Sequence, residues 1–424
     1  MSSLQDKELP SKIMTDEDRK FFGPLLDISA TSLVALGSRV YEHVFHKQSE
    51  KGELIARIAG SYNLVHVIQL DDDFKLVIRV PATGWGSGKT ETAAHALEST
   101  VATMRFVAKN TSIPVPQVYD FDTTDNNEIQ APYMCISFVS GMPVSQVWFK
   151  EPEDMSREEL RLNILRNLAQ VMAKFSSFSF DKIGSIQSDE STLQSLAPCY
   201  DWHLNEDGTL QVVSSGPFDS VSDYLAHHFK EDKDDEYGKG GTELLKAIMP
   251  ISITDGSSQD FVLRPPDFDS QNVMVDDLGN ITGLIDWDLA QTVPRLVGYA
   301  KYPSWLTRDW DPLMYAWPEM LEEDSPATLK AWRGKYRDFL GDALDRQGDW
   351  KFTLSSHLTE AVWIAAHHIP NRVEICRKLV EEATDGDDAD GLSTLFQIGD
   401  DYFEEEDWNV LNDGIKRLFL SQDR

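Results

Sequence analysis

The sequence predicts an α+β protein of two lobes, a small antiparallel sheet with one packed helix followed by a larger, mainly helical part. Three observations carry this prediction. Two β-rich runs, 64–70 and 76–80, flank Asp71-Asp72-Asp73 and read as a hairpin. Helical periodicity dominates the chain after about residue 140. The β-rich island of that later part is confined to 261–288.

Taken in order, residues 16–48 read as helical, with apolar positions at Phe21, Leu25, Leu33, Leu36, Val40 and Val44. After the hairpin comes a helix over 91–108, then the punctuation Ile113-Pro114-Val115-Pro116. The run 133–139, Tyr-Met-Cys-Ile-Ser-Phe-Val, has the character of a buried strand. Residues 1–139 therefore form one expected domain, β-β-α-β after its helical extension, and 140–424 the other. The second opens with a capping box, Ser156-Arg157-Glu158-Glu159, in which Ser and Glu each satisfy an orphan N–H. Ile164, Leu165, Leu168, Val171, Met172 and Phe175 continue it as an amphipathic stripe. Within the island, 261–263, 273–275 and 281–285 read as short strands, the last two joined by the turn sequence 276–280. Helices return from about residue 305, and the heavily acidic stretch 381–407 predicts a solvated loop.

Composition narrows the function. The 424 residues are 41% hydrophobic and rich in aromatics, enough for two substantial cores. A net charge of −32, from 39 basic against 71 acidic residues, argues against nucleic acid as a main partner. A bound nucleotide would depend on a metal ion and backbone N–H groups for neutralisation. The acidic surface suits a cationic small-molecule acceptor, and solubility alone explains it equally well. Three scattered cysteines without CxxC spacing fit a reducing compartment and no structural zinc. The polar start, 1–19, lacks a signal-peptide core, and no apolar run approaches the ~20 residues of a membrane span, so a cytoplasmic protein without membrane attachment is expected.

The chemistry concentrates in 263–288. Asp267 lies in a loop just past an apolar strand, Asn272 stands five residues on, and Asp286 closes the last strand of the island. Side chains at strand ends beside a tight loop converge, so these three are candidates for one pocket. Phosphoryl transfer needs such a set: a carboxylate for the acceptor hydroxyl, and an amide and a carboxylate as oxygen ligands of Mg²⁺. Asp and Asn are also ordinary turn residues, which accounts for Asp276, Asp277 and Asn280. It accounts poorly for Asp286, which ends an apolar run and leads into Trp287. Gly86-Ser87-Gly88-Lys89-Thr90 echoes a phosphate-binding loop, but Thr83 stands where that motif needs glycine, and a flexible loop is the better reading.

The stretch Asp-Phe-Asp-Ser-Gln-Asn-Val-Met-Val-Asp, followed by Gly-Asn-Ile-Thr-Gly-Leu-Ile-Asp-Trp-Asp, resembles the catalytic and metal-binding segments of the aminoglycoside phosphotransferase and choline kinase-like family, especially its large fungal branch. Tyr302-Pro303-Ser304-Trp305-Leu306 and Arg308-Asp309-Trp310-Asp311-Pro312 are similar too, as are Gly60-Ser61-Tyr62-Asn63, 77–81, 111–116 and 139–141. The resemblance runs in order from about residue 20 to 320. It implies a bilobal protein-kinase-like fold and a small-molecule kinase that moves the γ-phosphoryl of Mg-ATP, or Mg-GTP, to a hydroxyl. Carried over by residue, Gly60, Ser61, Tyr62 and Asn63 would form the turn over the phosphates. Arg79 would take the place of the strand lysine, and Ile136, Ser137, Phe138 and Val139 the hinge against the base. Asp267 would be the catalytic base, with Asn272 and Asp286 as Mg²⁺ ligands. Acceptor contacts would lie in the helical part; Trp202, His203 and Trp305 are candidates, although buried Trp is more often core.

Two positions depart from the family pattern. Pro265 stands where the family has the His that braces the catalytic loop, and Thr100 where it has the helix Glu that pairs with the strand cation. Glu98 lies on another face of that helix, so the ion pair is either absent or supplied elsewhere. These departures keep an alternative open: a kinase-like protein without phosphotransfer, binding nucleotide or metabolite, or one that reuses the cleft for other chemistry.

Overall fold

Gly23 and Pro24 split the predicted 16–48 helix in two. The computed structural model describes residues 15–187, 196–206, 208–253, 260–384 and 390–420, so most of the polar start lies outside the described residues. Helix α1 (Asp16–Phe22) is closed by a capping box between Thr15 and Asp18. It stops at Gly23, whose φ of +50° suits glycine and whose absent Cβ would stand 2.6 Å from the Trp85 ring. Helix α2 (Ala30–Phe45), capped by Ser29, buries Leu33, Leu36 and Val40.

Those side chains pack on a five-stranded antiparallel sheet, where they meet Leu64, Ile68, Leu76 and Ile78. Its strands are β1 (Gly52–Ala59), β2 (Asn63–Leu70), β3 (Lys75–Pro81), β4 (Val118–Asp122) and β5 (Tyr133–Ser137), in the order β1-β2-β3-β5-β4. The predicted hairpin is β2–β3, in register from Asn63–Pro81 to Gln69–Lys75. The outer strands β1 and β4 were not expected. Glu53 and Arg57 break the apolar alternation of β1, and every residue of β4 is half-buried, so neither carries a clear period of two. Helix α3 (Glu91–Asn110) starts at the Thr90 cap, directly after the 86–88 turn.

Two later segments join this first unit, which comprises Met1–Gly141, Gly184–Pro217 and Thr282–Gln291. The single boundary expected at 139/140 thus gives way to a first unit with two later excursions. The first is the hairpin β6 (Cys199–Leu204) and β7 (Leu210–Ser215), whose Tyr200 and Val212 pack on Ala96 of α3. The second follows β10 (Ile281–Leu284), where Thr282 Oγ1 donates to Ser140 O and Leu284 N to Pro114 O. Long-range hydrogen bonds and packing of this kind leave no local signal in composition.

The second unit comprises Met142–Ile183, Phe218–Ile281 and Thr292–Arg424. Helix α4 (Arg157–Ala173) begins at the Ser156 cap and buries the predicted stripe of Ile164, Leu165, Leu168 and Met172. A helical core is built by α5 (Glu236–Ile253), α7 (Ser356–His367), α8 (Ile369–Ala383), α9 (Gly391–Gly399) and α10 (Glu405–Leu420), while α6 (Pro326–Ala343) packs on α4. The acidic stretch is therefore not a loop. Residues 385–389 lie outside the description, but α9 and α10 bury Leu395, Ile398, Leu411 and Ile415 at helical spacing and leave their carboxylates in solvent. The short strands β8 (Phe261–Leu263) and β9 (Val273–Val275) bracket the loop that carries Asp267. Among the described residues, no single helix is long and apolar enough to cross a membrane.

Candidate functional site

In the first unit the candidate residues gather around Arg79. Its side chain leaves β3, is nearly buried, and pairs with Asp286 Oδ1 at 2.7 Å and Asp288 Oδ2 at 3.0 Å. Asn63, at the head of β2, donates Nδ2 to the same Asp288 oxygen. Burial works against the guanidinium charge, but Asp288 and then Asp286 more than offset it and raise the Arg79 pKa. Burial, reinforced by the adjacent Asp286 charge, pushes the Asp288 carboxyl above its ordinary range despite Arg79 and Asn63.

Asp286 itself has φ of +61°, a conformation that Asp tolerates better than most residues. Its side chain is 40% exposed, and its bond to Arg79 uses Oδ1, so Oδ2 is the oxygen not engaged by that pair. Fully buried Trp287 pins the segment, with Nε1 donating to Leu284 O at 2.8 Å. Thr100 has no part in the ion pair. Its hydroxyl donates to Ala96 O and accepts Leu289 N at 3.4 Å, so α3 touches this segment through a short side chain where a Glu would crowd it. Glu98 is exposed and lines a cavity of about 170 Å³ with His95, Ser99, Tyr200 and Ser214. The counter-ion missing from the helix is supplied by Asp288.

The turn from β1 to β2 is Gly60-Ser61-Tyr62, closed by Gly60 N donating to Asn63 O at 2.9 Å. Its residues are exposed apart from a stack of Tyr62 on Trp202, with ring centroids 4.6 Å apart and planes at 9°. Of the expected hinge, Ile136 and Ser137 lie within β5, and the Ser137 N–H is spent on Gln117 O. Phe138 and Val139 lie beyond the strand end.

In the second unit the loop after β8 presents Asp267. Asn272 Nδ2 donates to Asp267 Oδ2 at 2.8 Å and to Asp267 O at 3.1 Å, and Gln271 Nε2 adds a third bond at 3.2 Å. The side chain of Asn272 is thereby oriented with its carbonyl oxygen left over. The loop is fastened at several points. Ser304 N donates to Phe268 O, Ser145 N to Ser270 O, and Arg308 Nη2 reaches Asp269 Oδ2 at 3.1 Å. Two residues of the 302–312 stretch, Ser304 and Arg308, are thus among those that pin this loop. Pro265 is buried between half-buried Arg264 and Pro266, whereas Asp267 is exposed. Behind it, Lys301 is buried against Glu360 at 2.8 Å, and burial with nearby Arg264 lowers its pKa although Glu360 and Asp267 oppose this.

The structure therefore brings Asn63, Arg79 and Asp286 together in one unit, and Asp267 and Asn272 together in the other. Asp288 was missed as a functional residue; its signal was present, since a second Asp two residues after Asp286 repeats the same unexplained acidity. Among the described residues no group of three or more His, Cys, Asp or Glu forms a ready-made metal site. Asn272 Oδ1 and Asp286 Oδ2 are hard oxygen donors that suit Mg²⁺, an ion that keeps several waters and takes few protein ligands. Of the candidate aromatic residues, Trp305 is core, packed on Trp148 and Phe268, while Trp202 stacks on Tyr62.

Comparison with known proteins adds a family. The model of the phosphotransferase enzyme family matches residues 33–332. The chain is 29% identical over 143 residues to altered inheritance of mitochondria protein 9, mitochondrial, of Candida albicans, covering 33% of this chain and 22% of that protein. It is also 29% identical over 133 residues to a subtelomeric hrmA-associated cluster protein of Aspergillus fumigatus, covering 31% of this chain and 24% of the relative. The match thus spans about a quarter of the length of these curated relatives. Among solved structures it is similar to aminoglycoside phosphotransferase APH(4)-Ia, with a TM-score of 0.45, 16% identity and coverage of 88% of this chain and 98% of that one. It is also similar to macrolide 2'-phosphotransferase type I, with a TM-score of 0.39, 10% identity and coverage of 87% and 97%.

Proposed function

Because the chain belongs to the phosphotransferase enzyme family, we propose that it transfers the γ-phosphoryl group of a Mg-nucleotide, ATP or GTP, to a hydroxyl of a small-molecule acceptor. The observation that carries this reading is the Asp267 carboxylate: exposed, on a loop otherwise pinned, and aimed by Asn272 and Gln271. Such a group accepts the acceptor's proton while its oxygen bonds to the γ-phosphorus; the bond from that phosphorus to the β,γ-bridging oxygen breaks and the nucleoside diphosphate leaves. In this reading Asn272 Oδ1 and Asp286 Oδ2 are each an oxygen donor suited to Mg²⁺, which would supply charge neutralisation at the phosphates. Arg79, kept charged by Asp288, faces the α and β phosphates. The Gly60 N–H closes the turn onto Asn63 O, and the N–H groups of Ser61 and Tyr62 cradle phosphate oxygens. Phe138 and Val139 offer the backbone edge to the base. The net charge of −32 is compatible with a cationic acceptor.

The test is calorimetric titration with Mg-ATP and Mg-GTP, followed by ATP hydrolysis without an acceptor. Mg²⁺-dependent binding with slow hydrolysis is expected. A folded protein that binds neither nucleotide overturns the reading.

A further inference from the structure

We infer that the β6–β7 hairpin is a built-in latch on the phosphate turn, and that Trp202 is the positioning residue through which it acts. This rests on the nucleotide-binding reading above. The Gly60-Ser61-Tyr62 turn is short and exposed, closed by the Gly60–Asn63 bond and joined to the end of β3 by Ala82 N donating to Tyr62 O. A turn of this kind loses conformational freedom when it closes over a ligand. Here its aromatic side chain, Tyr62, is already held, by a near-parallel stack on Trp202 at 4.6 Å.

The hairpin is a firm support for that contact. Trp202 stands opposite Val212 in the β6–β7 ladder, and Val212 and Tyr200 are buried against α3. On its other side the hairpin is fastened to the 86–88 turn. Ser87 Oγ donates to Thr209 Oγ1 at 3.2 Å, and Gln211 Nε2 to Ser87 O at 3.2 Å. A Cβ at Gly88 would lie 2.5 Å from Leu210 O, so that close approach needs glycine. The stack thus joins a mobile kind of element to a doubly anchored one. In this way it sets the turn before nucleotide arrives. Preorganisation of this kind raises affinity by removing an ordering cost and leaves the chemical step largely untouched.

The experiment measures the dissociation constant of Mg-AMP-PNP by calorimetry for wild type, Tyr62→Ala, Trp202→Ala, the double variant and Trp202→Phe. Each Ala variant should weaken binding about 3- to 10-fold, the factor an aromatic pair of this geometry supplies. The double variant should lose no more than either single one, because both remove one interaction. Trp202→Phe should recover most of the affinity, which a general loss of folding would not allow. Tyr62→Ala, at an exposed position, keeps the test alive if Trp202→Ala is unstable. Tight wild-type binding with unchanged affinity in Tyr62→Ala and Trp202→Ala, or additive losses in the double variant, overturns the latch alone. A wild type that binds no nucleotide overturns the latch together with the reading it rests on.

Discussion

Asp288 Oδ2 accepts hydrogen bonds from Arg79 at 3.0 Å and from Asn63, so the counter-ion of the strand cation comes from a residue 209 positions later and not from helix α3. This relationship decides how the departure at Thr100 is read. The pair is kept, with a different anion.

It follows that Asp288→Ala should be destabilising. Removal of this carboxylate leaves the buried guanidinium with Asp286 as its remaining anion and takes from Asn63 its acceptor, at a cost of about 1–3 kcal/mol. Glu98→Ala, by contrast, should stay within about 0.5 kcal/mol, as exposed substitutions do. Denaturant unfolding of both variants compares them directly. Equal effects would mean that Asp288 is not the counter-ion that matters.

The two carboxylates assigned to the reaction should separate in their kinetics. Asp286→Asn keeps a hydrogen bond to Arg79 and gives up a charged oxygen donor, so nucleotide affinity should lose most of its Mg²⁺ dependence. Asp267→Asn should retain nucleotide binding and lose turnover, by at least the ~100-fold typical of a general base. Retained turnover in Asp267→Asn would show that the measured reaction uses another base.

Pro265→His should not improve activity. The role expected of a bracing imidazole is filled by Asn272 and Gln271, which hold Asp267 Oδ2 at 2.8 and 3.2 Å. Pro265 is buried, and a polar ring left there without a partner costs about 1–3 kcal/mol. The variant should therefore be less stable, with a turnover change below about tenfold. A gain of ~100-fold, the scale of a 1 Å correction in pose, would show that the loop is misplaced as it stands.

His66 predicts a pH dependence unrelated to the site. It lies fully buried on β2, and both ring nitrogens lack a hydrogen-bond partner. Burial, with the Arg57 charge opposite it in β1, lowers its pKa from 6.5 to about 3. The unfolded chain therefore binds a proton below about pH 6.5 that the folded chain refuses, and stability falls as pH falls. The slope from this residue approaches about 1.4 kcal/mol per pH unit between those two values. His66→Leu should remove that component, so its stability relative to wild type should rise steadily from pH 7 to pH 5. A constant difference across that range would refute the assignment.

Much of this protein was legible because it is local. The Thr90-capped helix, the β2–β3 hairpin and the Ser156 cap each follow from a few adjacent residues whose hydrogen bonds close within one turn or one ladder. The ordered motifs from Gly60 to Asp286 marked the family for the same reason, since each is a short segment with its own chemistry. Strands β1 and β4 were hidden because half-buried edges tolerate charge and lose their period. The helices α9 and α10 were hidden because acidic side chains on a solvent face masked the spacing of Leu395, Ile398, Leu411 and Ile415.

The sequence by itself determined the chemistry available: a carboxylate at Asp267 in a loop, oxygen donors at Asn272 and Asp286, and a cation at Arg79. Only the tertiary structure decided their partners. Arg79 found Asp288, Asp267 found Asn272 and Gln271, and Tyr62 found Trp202 across 140 residues of chain. The physical reason is that charge and hydrogen-bonding capacity belong to a residue, whereas burial and pairing belong to the packing that surrounds it. A carboxylate two residues from a predicted ligand becomes a counter-ion only when a sheet, a turn and a buried tryptophan bring it there.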